Sequence, residues 1–112
     1  MALYMTKIKY TGDAIKDIAE SGSDREGVVR ALIEKCGGKL INFYGMLGQD
    51  HHIILITEFE QLSDYMGMVM SGAVGGAVAD WKTIQLYTSS DMMAAAETYR
   101  ASKGSYSPPP NS

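Results

Sequence analysis

The chain has only two histidines, His51 and His52, and they are adjacent. Histidine changes charge near neutral pH and ligates metals, so the pair is the first candidate for acid–base chemistry. Neighbouring side chains of a strand point to opposite faces, so the two cannot chelate one metal from one protomer. No HxH, HxxxH or HExxH spacing is present, and no metal site is expected. The commoner role of such a pair is as two polar residues at the mouth of a hairpin. Glu58 is the other candidate acid. It stands in an apolar run, in phase with His52, Ile54 and Ile56. On the helix side of a sheet it would be partly buried; near a strand end, a solvated or salt-bridged glutamate is the ordinary outcome.

Tyr4, Tyr10, Tyr44, Tyr65 and Tyr87 each offer an apolar ring with one polar tip, which suits core packing, an interface or a pocket wall. Of the polar groups near the central hairpin and the strand ends, Asn42, Tyr44, Asp50 and Tyr87 are the candidates for touching a ligand. Met66, Met68, Met70, Met92 and Met93 supply flexible thioethers, which fill core gaps or line adaptable pockets. Cys36 is the single cysteine. It falls on an apolar helical stripe near the stripe's C-terminal end, where the helix dipole disfavours a thiolate, so it reads as a core residue. No GxxxxGK[ST] or GxGxxG pattern is present, and no cofactor is expected.

Leu3 to Tyr10 reads as a first strand, closed by Gly12-Asp13. Ala14, Ile15, Ile18 and Ala19 follow at helical spacing until Gly22. Ser23-Asp24-Arg25-Glu26 has a capping-box pattern with Ser23 as the cap. Val28, Val29, Leu32, Ile33 and Cys36 then form one helical stripe, stopped by Gly37-Gly38. Lys39 to Leu47 and His51 to Phe59 read as a hairpin turning at Gly48-Gln49-Asp50. Leu62, Tyr65, Met66, Val69, Met70 and Ala73 give a second helical stripe, Trp81 to Thr88 a fourth strand, and Met92 to about Ser102 a last helix capped from Ser89-Ser90-Asp91. The order predicts one α+β domain over residues 1–102, ferredoxin-like βαββαβ, with a four-stranded antiparallel sheet, helices on one face and an extra C-terminal helix. Residues 103–112, with Pro108-Pro109-Pro110, read as an extended tail.

A chain of 112 residues supports one core. Net charge is −3 and the basic residues are scattered, so nucleic acid is not an expected partner. The longest apolar stretch, 66–79, is too short and too interrupted to span a bilayer, and no membrane partner is expected. No secretory signal is visible and one cysteine excludes an internal disulfide, so a cytoplasmic location is expected.

Alternation splits each strand into two faces. Ile84 and Leu86 oppose Trp81, Thr83, Gln85 and Tyr87; Lys7 shares a face with Met5; Ile41 and Phe43 oppose Asn42 and Tyr44. The helices are expected to cover Ile84, Leu86, Ile41 and Phe43. The other face mixes large apolar with polar groups, which an isologous homodimer or higher homo-oligomer would explain. Trp81, Gln85, Lys7 and Met5 are the expected interface residues.

The chain resembles the GYD-domain family, small ferredoxin-like proteins of the dimeric α/β-barrel type. The resemblance rests on Asp24-Arg25, Gly37-Gly38-Lys39-Leu40, Phe43-Tyr44, Gly48, Glu58-Phe59, Ser71-Gly72-Ala73 and Leu86-Tyr87-Thr88 in order, and on a tail beginning Gly104-Ser105-Tyr106-Ser107. It implies the dimeric barrel and no particular activity. The family's Gly-x-Tyr-Asp signature is absent: Gly48 is followed by Gln49-Asp50-His51-His52, and Asp50 stands where an acidic group could serve. Two functional readings follow. One is a non-catalytic oligomeric domain binding a small apolar molecule or a partner. The other is a cofactor-free monooxygenase- or isomerase-like enzyme with a pocket between sheet and helices, using His51 or His52 as base, Tyr44 as orienting donor and Glu58 as a further acid.

Overall fold

A computed structural model describes residues 1–110. Asn111 and Ser112, the end of the expected tail, lie outside the described residues. The elements run β1 (Ala2–Tyr10), α1 (Gly12–Ser21), α2 (Arg25–Lys35), β2 (Lys39–Gly45), β3 (Ile53–Phe59), α3 (Leu62–Val74), β4 (Val78–Leu86) and α4 (Ser89–Ser102). The sheet order is β2-β3-β1-β4, with every neighbouring pair antiparallel. This is the ferredoxin-like arrangement expected from the order of elements, with the first helical segment divided in two.

Gly22 makes that division. It takes a left-handed φ of 64° that a side chain would resist, and its N–H closes α1 on the Ile18 carbonyl. The cap of α2 is Asp24 rather than Ser23: its Oδ1 accepts the Gly27 N–H at 3.3 Å. The cap of α4 is likewise one residue from expectation. Thr88 Oγ1 accepts the Asp91 N–H at 3.2 Å, and the Asp91 carboxylate accepts the Thr88 N–H at 2.9 Å. β4 starts at Val78, earlier than expected, because Gly76 in a left-handed conformation turns the chain directly into pairing with Tyr10. The hairpin is wider than expected: β2 ends at Gly45 and β3 resumes at Ile53.

Register fixes the two faces. Tyr4, Thr6, Ile8 and Tyr10 of β1 share a face with Ile53, Leu55, Thr57 and Phe59 of β3, and all eight are buried. This is the face that α2 and α3 cover, with Ile33, Tyr65 and Met68 completing the core. A bulge at Ile41 breaks the alternation of β2, so Leu40 and Phe43 both reach the helix side while Asn42 and Tyr44 face away. On β4 the expected faces are reversed. Trp81 pairs with Ile8 and Thr83 with Thr6, which puts Trp81, Thr83 and Gln85 on the helix side; Ile84 and Leu86 pair with Met5 and Leu3 on the open side. A chain of hydroxyls runs from the core out to β4: the buried pair Thr6 Oγ1 and Tyr65 Oη at 2.8 Å, then Tyr65 Oη and the exposed Thr83 Oγ1 at 2.7 Å. The Tyr65 ring stacks on Tyr4 at 4.2 Å.

α4 stands apart. It buries no residue, and the Cα radius of gyration is 18.6 Å, against about 13 Å for a compact chain of this length. The open face of the sheet and α4 are thus both without cover in one protomer.

Candidate functional site

An apolar pocket, open to solvent at its rim, lies between α2, α3 and the helix side of the sheet. It is a cavity of about 250 Å³ walled by Ile8, Val29, Leu32, Leu55, Met68 and Trp81, with Arg25 and Val28 also on its lining. The local sequence explains how it forms. The indole of Trp81 leans over α3 at Gly72, where an added Cβ would stand 2.8 Å from Trp81 Cζ3. A side chain at position 72 would therefore push the ring out of its place. Val28 is half exposed and Arg25 partly exposed, which marks the rim. Two donors in these walls, Arg25 Nε and Trp81 Nε1, are enclosed and have no hydrogen-bond partner.

Neither histidine faces this cavity. His51 is buried at the end of the sheet, and its Nε2 donates to Asp80 Oδ2 at 2.7 Å. His52 Nδ1 accepts the Tyr10 N–H at 2.9 Å, so in that contact the ring hydrogen sits on Nε2; the imidazole also stacks on the Tyr10 ring at 6.0 Å. That bond satisfies a backbone donor where the β1–β4 register shifts between Lys9 and Tyr10. Both histidines thus tie the ends of β1, β3 and β4 together. Glu58 lies at the far end of β3, about 20 Å along the strand from His52 at roughly 3.4 Å per residue. It faces the open side opposite Leu3 and Lys39, not the helix side, because the register puts it in phase with Ile54 and Ile56 there.

The remaining candidates fall into two places. Asn42 and Tyr44 meet on the open face, with Asn42 Nδ2 donating to Tyr44 Oη at 3.4 Å. Tyr87 lines an open groove of about 470 Å³ with Glu58, Leu86 and Asp91 at the root of α4. Asp50 is exposed in the hairpin loop. Of the expected interface residues, Met5 and Lys7 lie on the open face, while Trp81 and Gln85 lie on the helix side. The expectation that Trp81 anchors a sheet-to-sheet contact is therefore corrected: its ring packs on α3. Within one protomer, the His51, His52, Glu58 and Tyr44 constellation does not converge. Among the described residues no cluster of three metal-ligating side chains occurs.

Of the residues around this pocket, the sequence marks Met68 as core filling or pocket lining and Val28, Val29 and Leu32 as one apolar stripe, but it does not mark Arg25 or Gly72. Arg25 carried one usable signal, a cation at the first position of a helix, where the dipole disfavours it. Gly72 carried another, a glycine inside a helical stripe, which marks a close approach.

The Asp80–His51 contact gives a pH-dependent prediction. The hydrogen bond with His51, first among its surroundings, holds the Asp80 carboxyl below its ordinary value of 3.8. A folded-state value depressed relative to the unfolded chain contributes stability that is fully present above the unfolded value and is lost as pH falls through the folded one. Asp80→Asn should therefore lower the melting temperature at neutral pH, with the gap to wild type closing below pH 3.8. Thermal melts of both proteins across that range check it; a gap independent of pH would assign the effect to shape rather than charge.

No helix among the described residues is long and apolar enough to cross a membrane. No curated protein matches the chain in sequence. Among solved structures, the chain is similar to TTHA0845 from Thermus thermophilus, with 11% identity and a TM-score of 0.53, covering 80% of this chain and 96% of that one. It is also similar to MtbAldR, with 16% identity and a TM-score of 0.51, covering 78% of this chain and 52% of that one. These likenesses are of fold alone. The GYD-domain model matches residues 4–96, from the first strand into α4, and the chain belongs to the GYD-domain family.

Proposed function

We propose that the protein is an oligomeric binding module. It takes a small apolar molecule into the cavity between α2, α3 and the sheet, and it pairs with a second copy through the open sheet face. The cavity carries the first part. An apolar hole of about 150 Å³ is enough to bind benzene, and the cavity here is about 250 Å³ with walls that are almost entirely apolar. A molecule of roughly one or two rings fits that space. The open face carries the second part. Ile56, Met5 and Ile84 sit side by side across β3, β1 and β4, beside Leu3 and Leu86. Water-exposed rows of this kind are uncommon in monomers. The enzyme reading has less support, because its acid–base candidates lie at opposite ends of β3 and none lines the cavity.

Trp81 is the only tryptophan, so its emission reports the cavity directly. Toluene titrated into the protein should shift that emission saturably. Val29→Phe and Ser71→Leu, which fill the cavity from α2 and from α3, should each abolish the shift while circular dichroism stays native. An unsaturable response, or the same response in folded variants with the cavity filled, would show that the molecule binds elsewhere or not at all.

A further inference from the structure

Arg25 deepens the cavity reading and rests on it. It is the first residue of α2, and it lines both the cavity and the neighbouring groove against α1. A cation at this place opposes the positive end of the helix dipole. Arg25 has no carboxylate to offset that cost: among the described residues it makes no ion pair. The nearby acids are differently placed. Glu26 holds Arg30 at 2.9 Å, Asp24 caps the helix through Gly27, and Asp17 lines the outer groove without pairing with Arg25. Arg25 Nε is nevertheless shielded from water without a partner, as is Trp81 Nε1 elsewhere in the lining. Enclosed donors left unpaired cost free energy and are uncommon in native proteins.

An anion at the rim offsets the costs at Arg25. It would pair with the guanidinium, face the favourable end of the α2 dipole and accept from an unsatisfied donor. The interior beyond Arg25 is apolar, so the rest of the molecule must be apolar as well. We propose that the cavity takes a small organic anion with an apolar body, an aromatic or branched-chain carboxylate. Its carboxylate is held by Arg25, and its ring or chain lies against Val29, Met68 and Trp81.

The test compares phenylacetate with phenylacetamide, which has nearly the same shape and no charge, using Trp81 emission of the full chain. Phenylacetate should bind at least about tenfold more tightly, the scale of a charge-assisted hydrogen bond. Arg25→Gln should reduce its affinity to that of the amide, and Arg25→Lys should restore part of the difference. Equal saturable binding of acid and amide would overturn the anion assignment and leave the apolar cavity standing. A preference that persists in Arg25→Gln would also overturn it. Saturable binding of neither compound, nor of toluene, would remove the cavity reading along with it.

Discussion

Ile56→Asp is expected to abolish the proposed pairing of two copies through the open sheet face. Ile56 occupies the middle of the open face, opposite Met5 on one side and Asn42 on the other, and Ile84 continues the row beyond Met5. In a sheet-to-sheet dimer this row would meet its own symmetry mate, so a carboxylate here would be buried twice, each time facing apolar groups. An unpaired buried charge costs on the order of 3 kcal/mol or more, over a hundredfold in dissociation constant. The fold should survive, since the side chain at 56 points away from the core. Ile84→Asp, at a position 40% exposed in the protomer, should act the same way. Sedimentation velocity at low micromolar protein checks both, with circular dichroism as the control for folding. Wild-type sedimentation of both variants would mean that association, where it occurs, uses another surface; α4 is then the next to examine.

Gly38→Ala is expected to cause the largest loss of stability from a single added methyl group. A Cβ at position 38 would lie 2.4 Å and 2.5 Å from ring atoms of Phe59. That ring cannot yield easily: Phe59 is 1% exposed and meets Tyr4 and Tyr65 edge-on. Overpacking of this kind costs about 1–3 kcal/mol, while the reduced freedom of the unfolded chain returns at most about 1 kcal/mol. The melting temperature should fall by roughly 10 °C, given about 4–8 °C per kcal/mol in a small domain. Gly67→Ala supplies the opposite case within the same protein. Position 67 lies inside α3, and a Cβ there meets nothing within 4 Å, so helix propensity should raise stability by about 0.5–1 kcal/mol. Equal melting temperatures for Gly38→Ala and wild type would show that Phe59 does not pack on the start of β2 as described.

The order of strands and helices was legible because each long element carries a clear period. The stripe from Val28 to Cys36, the alternation of β1 and the glycines at 22 and 37–38 were sufficient for it. The faces of the sheet were less legible, for two physical reasons. The bulge at Ile41 adds a residue to β2, so simple alternation cannot put Leu40 and Phe43 on one side. On the helix side, threonines stand where an apolar pattern would be expected: Thr6 and Thr57 are fully buried, and Thr6 and Thr83 are satisfied through Tyr65 Oη. A count of polar residues reads such a face as the wet one, which is why Ile84 and Leu86 were expected against the helices and Trp81 at an interface. The candidate site was the least legible part. The histidines had the chemistry that draws attention, but their partners, Asp80 and the Tyr10 N–H, lie on other strands. The cavity depends on Gly72 meeting Trp81 and on α2 leaving space beside Val29, relations between elements that no spacing along the chain records.

The proposed binding site is the space between α2, α3 and the sheet. Pressurising a crystal of the full chain with xenon is the decisive measurement, because xenon settles in apolar cavities whatever their natural occupant. A strong peak beside Val29, Met68 and Trp81 is expected, absent from crystals of Val29→Phe. No xenon between the helices and the sheet of the wild-type protein, or xenon confined to the open sheet face, would show that this space is not a binding site.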